Sequence, residues 1–313
     1  MKINIYKIAL ISLLIIILIF VIEFTNARTI YVGIGTDYSK IQDAIDDASD
    51  GDTIFVKSGI YYENIVINKS ITLMGEGKEK TVIRYSKEYN TSSKNIIFVN
   101  RDRCTIKEIK IIGAGSYSDI TGIEINSSNN IISENVLTDN YIGINANDNT
   151  KNNYIYHNKM YENQYGVSLY QSTDNNVSGN NITSCVFYGI YIYNTESNIV
   201  FDNDLSDNYY GVKIKASEAN IIFKNKIHQN LEGIDLCCGS GYNIIYLNIF
   251  DSNNNNANDD LFNQWDNGKV GNYWDDYNGE DLNDDGIGDV PYNITSPENF
   301  DHYPLIIIPV NRS

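Results

Sequence analysis

Residues 130–169 read NIISENVLTDNYIGINANDNTKNNYIYHNKMYENQYGVSL. Asn130, Asn135 and Asn140 return 23 residues later as Asn153, Asn158 and Asn163, and Gly143 returns as Gly166. Followed outward at 22 to 23 residues, the glycines continue through Gly122, Gly189, Gly211 and Gly233. One asparagine column reads Asn130, Asn153, Asn176, Asn198, Asn220, Asn243. A second reads Asn135, Asn158, Asn181, Asn203, Asn225, Asn248, and a third runs Asn140, Asn163, Asn208, Asn230, Asn253 with Val186 as the exception.

A repeat this short suits one coil of a β-solenoid, in which a unit buries its apolar face only when neighbours stack on it. Two residues past the asparagines stand Ile132, Ile155, Val200, Ile222 and Ile245, with Ser178 in the same series; the next series holds Leu137, Met160, Leu205, Ile227 and Phe250, with Thr183. The alternation is strand-like and is reset at every Asn. Three short strands per coil stack on their neighbours at about 4.8 Å. An inward Asn at each bend bonds its own turn and the next coil, so a buried amide becomes a satisfied ladder. The glycines mark positions of positive φ or close backbone approach. The predicted class is all-β, a right-handed single-stranded parallel β-helix.

The chain has 313 residues, 42% of them hydrophobic, enough for one long core. Lys2 and Lys7 precede an apolar run from Ile8 to Ile22, short for a membrane span and suited to an export signal. Residues 1–27 are therefore expected to be a signal peptide or an N-terminal anchor, 28–256 the β-helix and 257–313 an acidic C-terminal module. The body is expected outside the cytoplasm, at the cell surface or in a periplasm-like space, touching membrane only through an uncleaved N-terminus. A net charge of −17, with no Arg between Arg103 and Arg312, excludes nucleic acid as a partner. Seven Asn-x-Ser/Thr sequons begin at Asn68, Asn90, Asn126, Asn176, Asn181, Asn293 and Asn311. Asn176 and Asn181 fall in ladder columns and are expected to be buried. Cys104, Cys185, Cys237 and Cys238 lie at different offsets and read as small buried hydrophobes; the last two are neighbours, where a disulfide is strained.

At the N-terminus, YSKIQDAIDDA (38–48) puts Ile41, Ala44 and Ile45 on one face of a short capping helix. At the other end, all four prolines and both tryptophans lie in the last 50 residues, and Asp259 to Asp301 carries 12 acidic residues against Lys269 alone. The opening GTDYSKIQDAIDDASDGDTIFVKSGIYYENIVINKSITLMGEG, the NxIxxNxIxxNxxGI body and the tail NQWDNGKVGNYWDDYNGEDLNDDGIGDVPYNI followed by DHYPL resemble β-helix surface proteins of the NosD type. That resemblance covers about 30 to 310. It implies the fold, and it implies either copper handling or contact with polysaccharide, since related coils occur in sugar-binding and sugar-cleaving proteins. No copper motif of the family maps onto positions here.

The most specific constellation is Asp281, Asn283, Asp285, the carbonyl of Ile287 and Asp289, around Gly286. Oxygen at relative positions 1, 3, 5, 7 and 9 with Gly at 6 reproduces the start of a calcium loop. Position 12 is Tyr292, so the loop is not an EF-hand, and a further ligand is either missing or supplied from elsewhere, with Asp275 and Asp276 as the candidates. Structural Ca²⁺ holding the tail is the expected cofactor. Copper needs converging His, Met or Cys, and His157 and Met160 lie far from His228 in coil number and offset.

Asp139 and Glu162 share an offset in adjacent coils, a spacing compatible with glycoside hydrolysis, and read first as turn residues. Lys213 and Asp235 share another and read as a salt bridge. Tyr165, Tyr188 and Tyr210 form a stripe that can meet sugar rings or stabilise the sheet alone. The sequence leads to an exported, non-catalytic β-helix protein of the cell surface or envelope, structural or glycan-binding, with structural calcium in the tail. The alternatives are a polysaccharide lyase, hydrolase or epimerase, and a copper-handling accessory protein.

Overall fold

The computed structural model describes residues 27–87, 94–294 and 299–308. The expected export segment lies outside the described residues, as do the sequons at Asn90 and Asn311. Among the described residues, no helix is long and apolar enough to cross a membrane.

Three parallel sheets of ten, nine and ten strands wrap one core. In a central coil the first sheet takes Ile131–Ser133, the second Val136–Thr138 and the third Ile142–Ala146. The next coil supplies Tyr154–Tyr156, Lys159–Tyr161 and Tyr165–Tyr170 in direct register with them. This is the parallel β-helix read from the repeat. Every second strand residue points inward, and the columns through Ile132, Leu137, Ile144 and Ala146 are wholly buried.

The residue before each ladder asparagine adopts the left-handed conformation: Glu134 at φ 57°, His157 at 54°, Asp202 at 53°, Lys224 at 56°, Leu247 at 57°. One such residue makes the sharp corner, at about 1–2 kcal/mol each. The ladder offsets that cost. Asn135 donates both its backbone N–H and its Nδ2 to Asn158 Oδ1, at 3.0 and 3.1 Å, and the pattern repeats to Asn225 on Asn248.

Two ladder assignments need correction. Asn180, not Asn181, carries the second column, accepting from Asn158 and donating to Asn203 at 3.0 and 2.9 Å, while Asn181 is exposed. Asn175, not Asn176, carries the first. This coil is one residue shorter on its entry side, and Asn–Asn pairs leave both positions open to a count. The apolar register decides, since Val177 pairs with Ile155 and Ile182 with Met160. A slip by one residue would turn both side chains out of the core. Ser178 and Thr183, the polar oddities in the apolar series, were the signal. In the third column Cys185, not Val186, takes the ladder place, donating its N–H to Asn208 Oδ1 at 2.9 Å.

The glycine column is explained by close approach alone. None of Gly122, Gly143, Gly166, Gly189, Gly211 or Gly233 has positive φ, and a Cβ on Gly143 would sit 2.7 Å from the Gly166 carbonyl oxygen. Cys104 and Cys185 are free and buried, whereas Cys237 and Cys238 are joined to each other, with Cys238 in the left-handed conformation at φ 63°.

Both ends are covered. At the start, helix α1 (Ile41–Asp47) buries Ile41, Ala44 and Ile45, and Glu63 accepts the first N–H groups, from Ile41 at 2.9 Å and Gln42 at 3.0 Å. At the far end Tyr273–Trp274 adds a strand beside Ile249 and Phe250. Phe250, Trp274 and Tyr292 stack with centroids 4.2 Å apart at each step.

Candidate functional site: the outer face of the third sheet

The third sheet has the longest strands, Tyr165–Tyr170, Tyr188–Tyr193, Tyr210–Lys215 and Glu232–Cys237. Its inward positions are apolar and the positions between them face outward, while the residue before each glycine also turns out, as the contacts of Tyr165 and Tyr188 with Tyr191 show. One outer column runs Thr121, Ile142, Tyr165, Tyr188, Tyr210, Glu232. A second runs Glu124, Asn145, Ser168, Tyr191, Lys213, Asp235, Asn258. A third begins with Tyr170, Tyr193 and Lys215.

The expected stripe of Tyr165, Tyr188 and Tyr210 is therefore real, and the structure enlarges it. Tyr188 lies 4.9 Å from Tyr165 and 5.3 Å from Tyr210 between ring centroids, and stacks on Tyr191 at 4.7 Å. Tyr191 in turn stacks on Tyr193 at 5.8 Å. Lys213 stands over the Tyr210 ring and Lys215 over Tyr193, at 5.1 and 5.3 Å. Burial pushes the Tyr191 phenol up to about 12 and raises Tyr165, Tyr188 and Tyr210 as well. These phenols stay neutral, so the tyrosines themselves offer rings and hydroxyls rather than charge.

Lys213 and Asp235 are paired as the register requires, and the pair is buried rather than superficial. Asn258 adds a donor to Asp235 Oδ1 at 2.8 Å. At the other end of the column Asn145 Nδ2 donates to both oxygens of Glu124, at 3.0 and 3.1 Å. Burial pushes the Glu124 carboxyl up to about 7 against the opposing pull of Asn145. The Oδ1 of Asn145 is buried without a partner. Sequence reading missed Glu124 and Asn145. The signal was present in the polar residue held between two apolar ones after each glycine, as in Gly122-Ile-Glu-Ile and Gly143-Ile-Asn-Ala.

Other expected residues fall elsewhere. Asp139 and Glu162 occupy the left-handed corner at φ 58° and 56°, consistent with turn residues. In the tail, Asp281 accepts from Asp285 N at 3.2 Å and Gly286 N at 2.8 Å; Asn283 also accepts from Asp285 N, and Asp285 from Ile287 N at 2.9 Å. Asp289 reaches back to Leu282 N at 2.7 Å. Asp275 and Asp276 bond Asn256, with Asp275 also on Ser252 N and Asp276 on Tyr292. Among the described residues, no three His, Cys, Asp or Glu side chains gather at metal-binding spacing.

A parallel β-helix repeat protein with a tyrosine-rich outer face is the class these observations define. The chain belongs to the family described as periplasmic copper-binding protein (NosD), which residues 45–279 match. Over 96 residues it is 38% identical to a cell surface glycoprotein of Methanothermus fervidus, a match covering 29% of this chain and 15% of that protein. Among solved structures it is similar to DFA-IIIase from Arthrobacter chlorophenolicus A6, with a TM-score of 0.58 and 15% identity over 72% of this chain and 68% of the other. It is also similar to alginate lyase from Paenibacillus sp. str. FPU-7, with a TM-score of 0.50 and 15% identity over 79% and 97%. At these identities the likeness is one of fold.

The residues present do not fit the copper of the family description. His157 is held by Glu134, His228 by Asp204 and His302 by Asp266, each on a different part of the chain, and Met160 is buried in the core. Cys104 and Cys185 are pushed up by burial to about 11 and about 12, away from the thiolate form a soft metal takes.

Proposed function

We propose that the chain is an exported β-helix protein of the cell surface or envelope that contacts a neutral glycan, without cleaving it, on the outer face of its third sheet. The carrying observation is the joined ring surface of Tyr188, Tyr191, Tyr193 and Tyr210, bordered by the Lys213–Asp235 pair. Sugar C–H faces pack on such rings while phenol and carboxylate oxygens meet hydroxyls. A net charge of −17 disfavours a polyanionic chain. Export is supported by the family description and by the surface-protein relative. A glycan array probed with the secreted protein tests the reading. Tyr191→Ala should abolish binding to the captured glycans without lowering the melting temperature by more than a few degrees, and an array blank for the unaltered protein would overturn the proposal.

A second reading, a glycoside hydrolase, draws on one feature: the Glu124 carboxyl held near 7. Its column offers no partner carboxylate nearby, because Asp235 stands five strands away. That is about 24 Å at the usual strand spacing, against 5–9.5 Å for a catalytic pair. New reducing ends that vanish in Glu124→Gln would favour this reading over simple contact.

For the tail, the proposal includes a structural Ca²⁺ on Asp281, Asn283, Asp285, Ile287 and Asp289. The turn at Gly286, with φ 85°, already gathers the side-chain oxygens of Asp281, Asn283 and Asp285 on one short stretch of backbone.

A further inference from the structure

We infer that Asn176 and Asn181 are acceptors for N-linked glycan, one on the first sheet and one on the second. The inference rests on the reading that the protein is exported, since only then does the chain meet a lipid-phosphate-linked oligosaccharide and its transferase. In the transfer the amide nitrogen of Asn bonds to C1 of the first sugar. The C1–oxygen bond to the lipid phosphate breaks, the phosphate leaves with the electron pair, and the amide proton passes to the transferase.

The geometry points to these two because both sit on strands with amide and hydroxyl on one outer face. Residues i and i+2 of a strand share a face, so in Asn176-Val177-Ser178 and Asn181-Ile182-Thr183 the amide and the hydroxyl project outward together while the middle residue is buried. The ladder duty expected of them is carried by Asn175 and Asn180. Thr183 Oγ1 accepts from Ser206 Oγ at 3.2 Å and donates to Asp207 at 3.5 Å, and the sequons at Asn90, Asn293 and Asn311 include residues outside the described ones; those of Asn126 and Asn68 are engaged. Asn126 Nδ2 donates to Asn100 at 3.1 Å, Ser128 Oγ accepts from Lys151 N at 3.1 Å, and Ser70 Oγ, in the sequon of Asn68, donates to the Asp102 carbonyl at 2.7 Å.

A second observation concerns what surrounds Asn176. In its outer column Asn176 has Tyr154 on one side and Ile199 on the other, 50% and 37% exposed, and Ser178 stands between Tyr156 and Phe201. A glycan anchored there lies across those side chains and removes them from water, as exported proteins with an exposed apolar stripe require.

The test is peptide and intact mass of the full chain made in an archaeal host with an N-glycosylation pathway, once with its own leader and once with a secretory leader known to work. Secretion on the borrowed leader with glycan on the peptide spanning Asn176 and Asn181 is the expected result. Asn176→Gln and Asn181→Gln should each remove one glycan mass, as should Ser178→Ala and Thr183→Ala, with unchanged melting. An unmodified peptide on the secreted chain, or glycan confined to Asn68 and Asn126, overturns the inference. Failure to leave the cell on its own leader, with modification on the borrowed one, strikes the exported reading instead.

Discussion

In the coils an asparagine ladder ends on the next asparagine; in the tail it ends on an acid. Apart from Asn163, which Cys185 follows, each ladder amide gives its N–H and one Nδ2 hydrogen to the Oδ1 of the following coil, and many give the other Nδ2 hydrogen to a carbonyl of the preceding one, so two donors per amide point toward the C-terminus. A column that simply stopped would leave two buried donors unmet. The first column passes from Asn243 to Asn263, whose Nδ2 meets Asp259 at 2.7 Å. In the second, Asn248 leads to Asn272, whose N–H meets Asp301 at 2.7 Å. Asn253 hands the third to Asn256, whose Nδ2 reaches Asp275 at 2.9 Å and Asp276 at 3.0 Å. A carboxylate accepts without donating, so it can terminate a directed chain where another amide would only prolong it. The acidity of the tail is in part a consequence of the polarity of the coils.

The largest effect should come from breaking that terminus. Asp301 also accepts from Trp274 Nε1 at 2.9 Å and Tyr303 N at 3.0 Å. Asp301→Ala strands these donors in a dry site and should cost about 4 kcal/mol, read as a lower urea midpoint. Because Trp265 and Trp274 are both in the tail, fluorescence should report its loss before circular dichroism reports loss of the coils. Coincident transitions would mean that tail and coils melt as one unit.

Next in size is a contrast inside the coils. Asn180→Leu removes the acceptor of Asn158 and the donors to Asn203 and to the Ile155 carbonyl, and should cost about 1–3 kcal/mol. Asn181→Leu, one residue on and outside the ladder, should change stability by about 0.5 kcal/mol or less. Equal losses in thermal melts of the two variants would restore the uncorrected register.

Titration should separate the regions again. Burial, opposed by bonds from Asn272, Trp274 and Tyr303, raises Asp301 to about 6. The folded tail thus keeps a proton that the unfolded chain releases near the ordinary carboxylate value. That contribution is fully present below the unfolded value and is lost as pH rises through about 6, the reverse of acid denaturation. It is on the order of 2 kcal/mol. Tryptophan-monitored melts from pH 4.5 to 8 should show the tail weakening upward in pH, and Asp301→Asn should flatten that slope. Glu124 has the same sign with its step near 7, but on a sheet that holds no tryptophan.

How far these features were legible follows from periodicity. A repeat constrains every residue it contains, so the class, the inward columns and the tyrosine stripe could be read off. The register failed in the coil whose 22-residue step met the doublets Asn175-Asn176 and Asn180-Asn181 and carried the third column from Val186 to Cys185, and there the apolar partner Val177 was the better guide. Glu124 is marked locally only as a polar residue between two apolar ones; its pairing with Asn145 arises from two strands in register 21 residues apart, a step shorter than the 22 to 23 of the coils that follow. The tail has no period at all. That Asp259 and Asp301 close ladders depends on where a non-repeating chain returns, which composition cannot show.

The smallest effect expected, and the sharpest probe of the tail alone, is calcium. If Asp281, Asn283, Asp285, Ile287 and Asp289 hold the ion, calcium binds the folded loop and not the unfolded one, and stabilises by mass action. At ten times its dissociation constant that amounts to about 1.4 kcal/mol. The rise should appear in the tryptophan signal, since Gly288 N bonds the Pro304 carbonyl and Asp301 sits under Trp274, joining loop and cap. Magnesium should substitute poorly, because it demands a tighter octahedron and keeps its waters. Asp285→Ala should abolish the response while leaving the amide ladder and the far-ultraviolet spectrum intact. Identical tail melting in EDTA and in millimolar calcium, with no heat of binding by calorimetry, would show instead that these carboxylates serve only the backbone N–H groups they already meet.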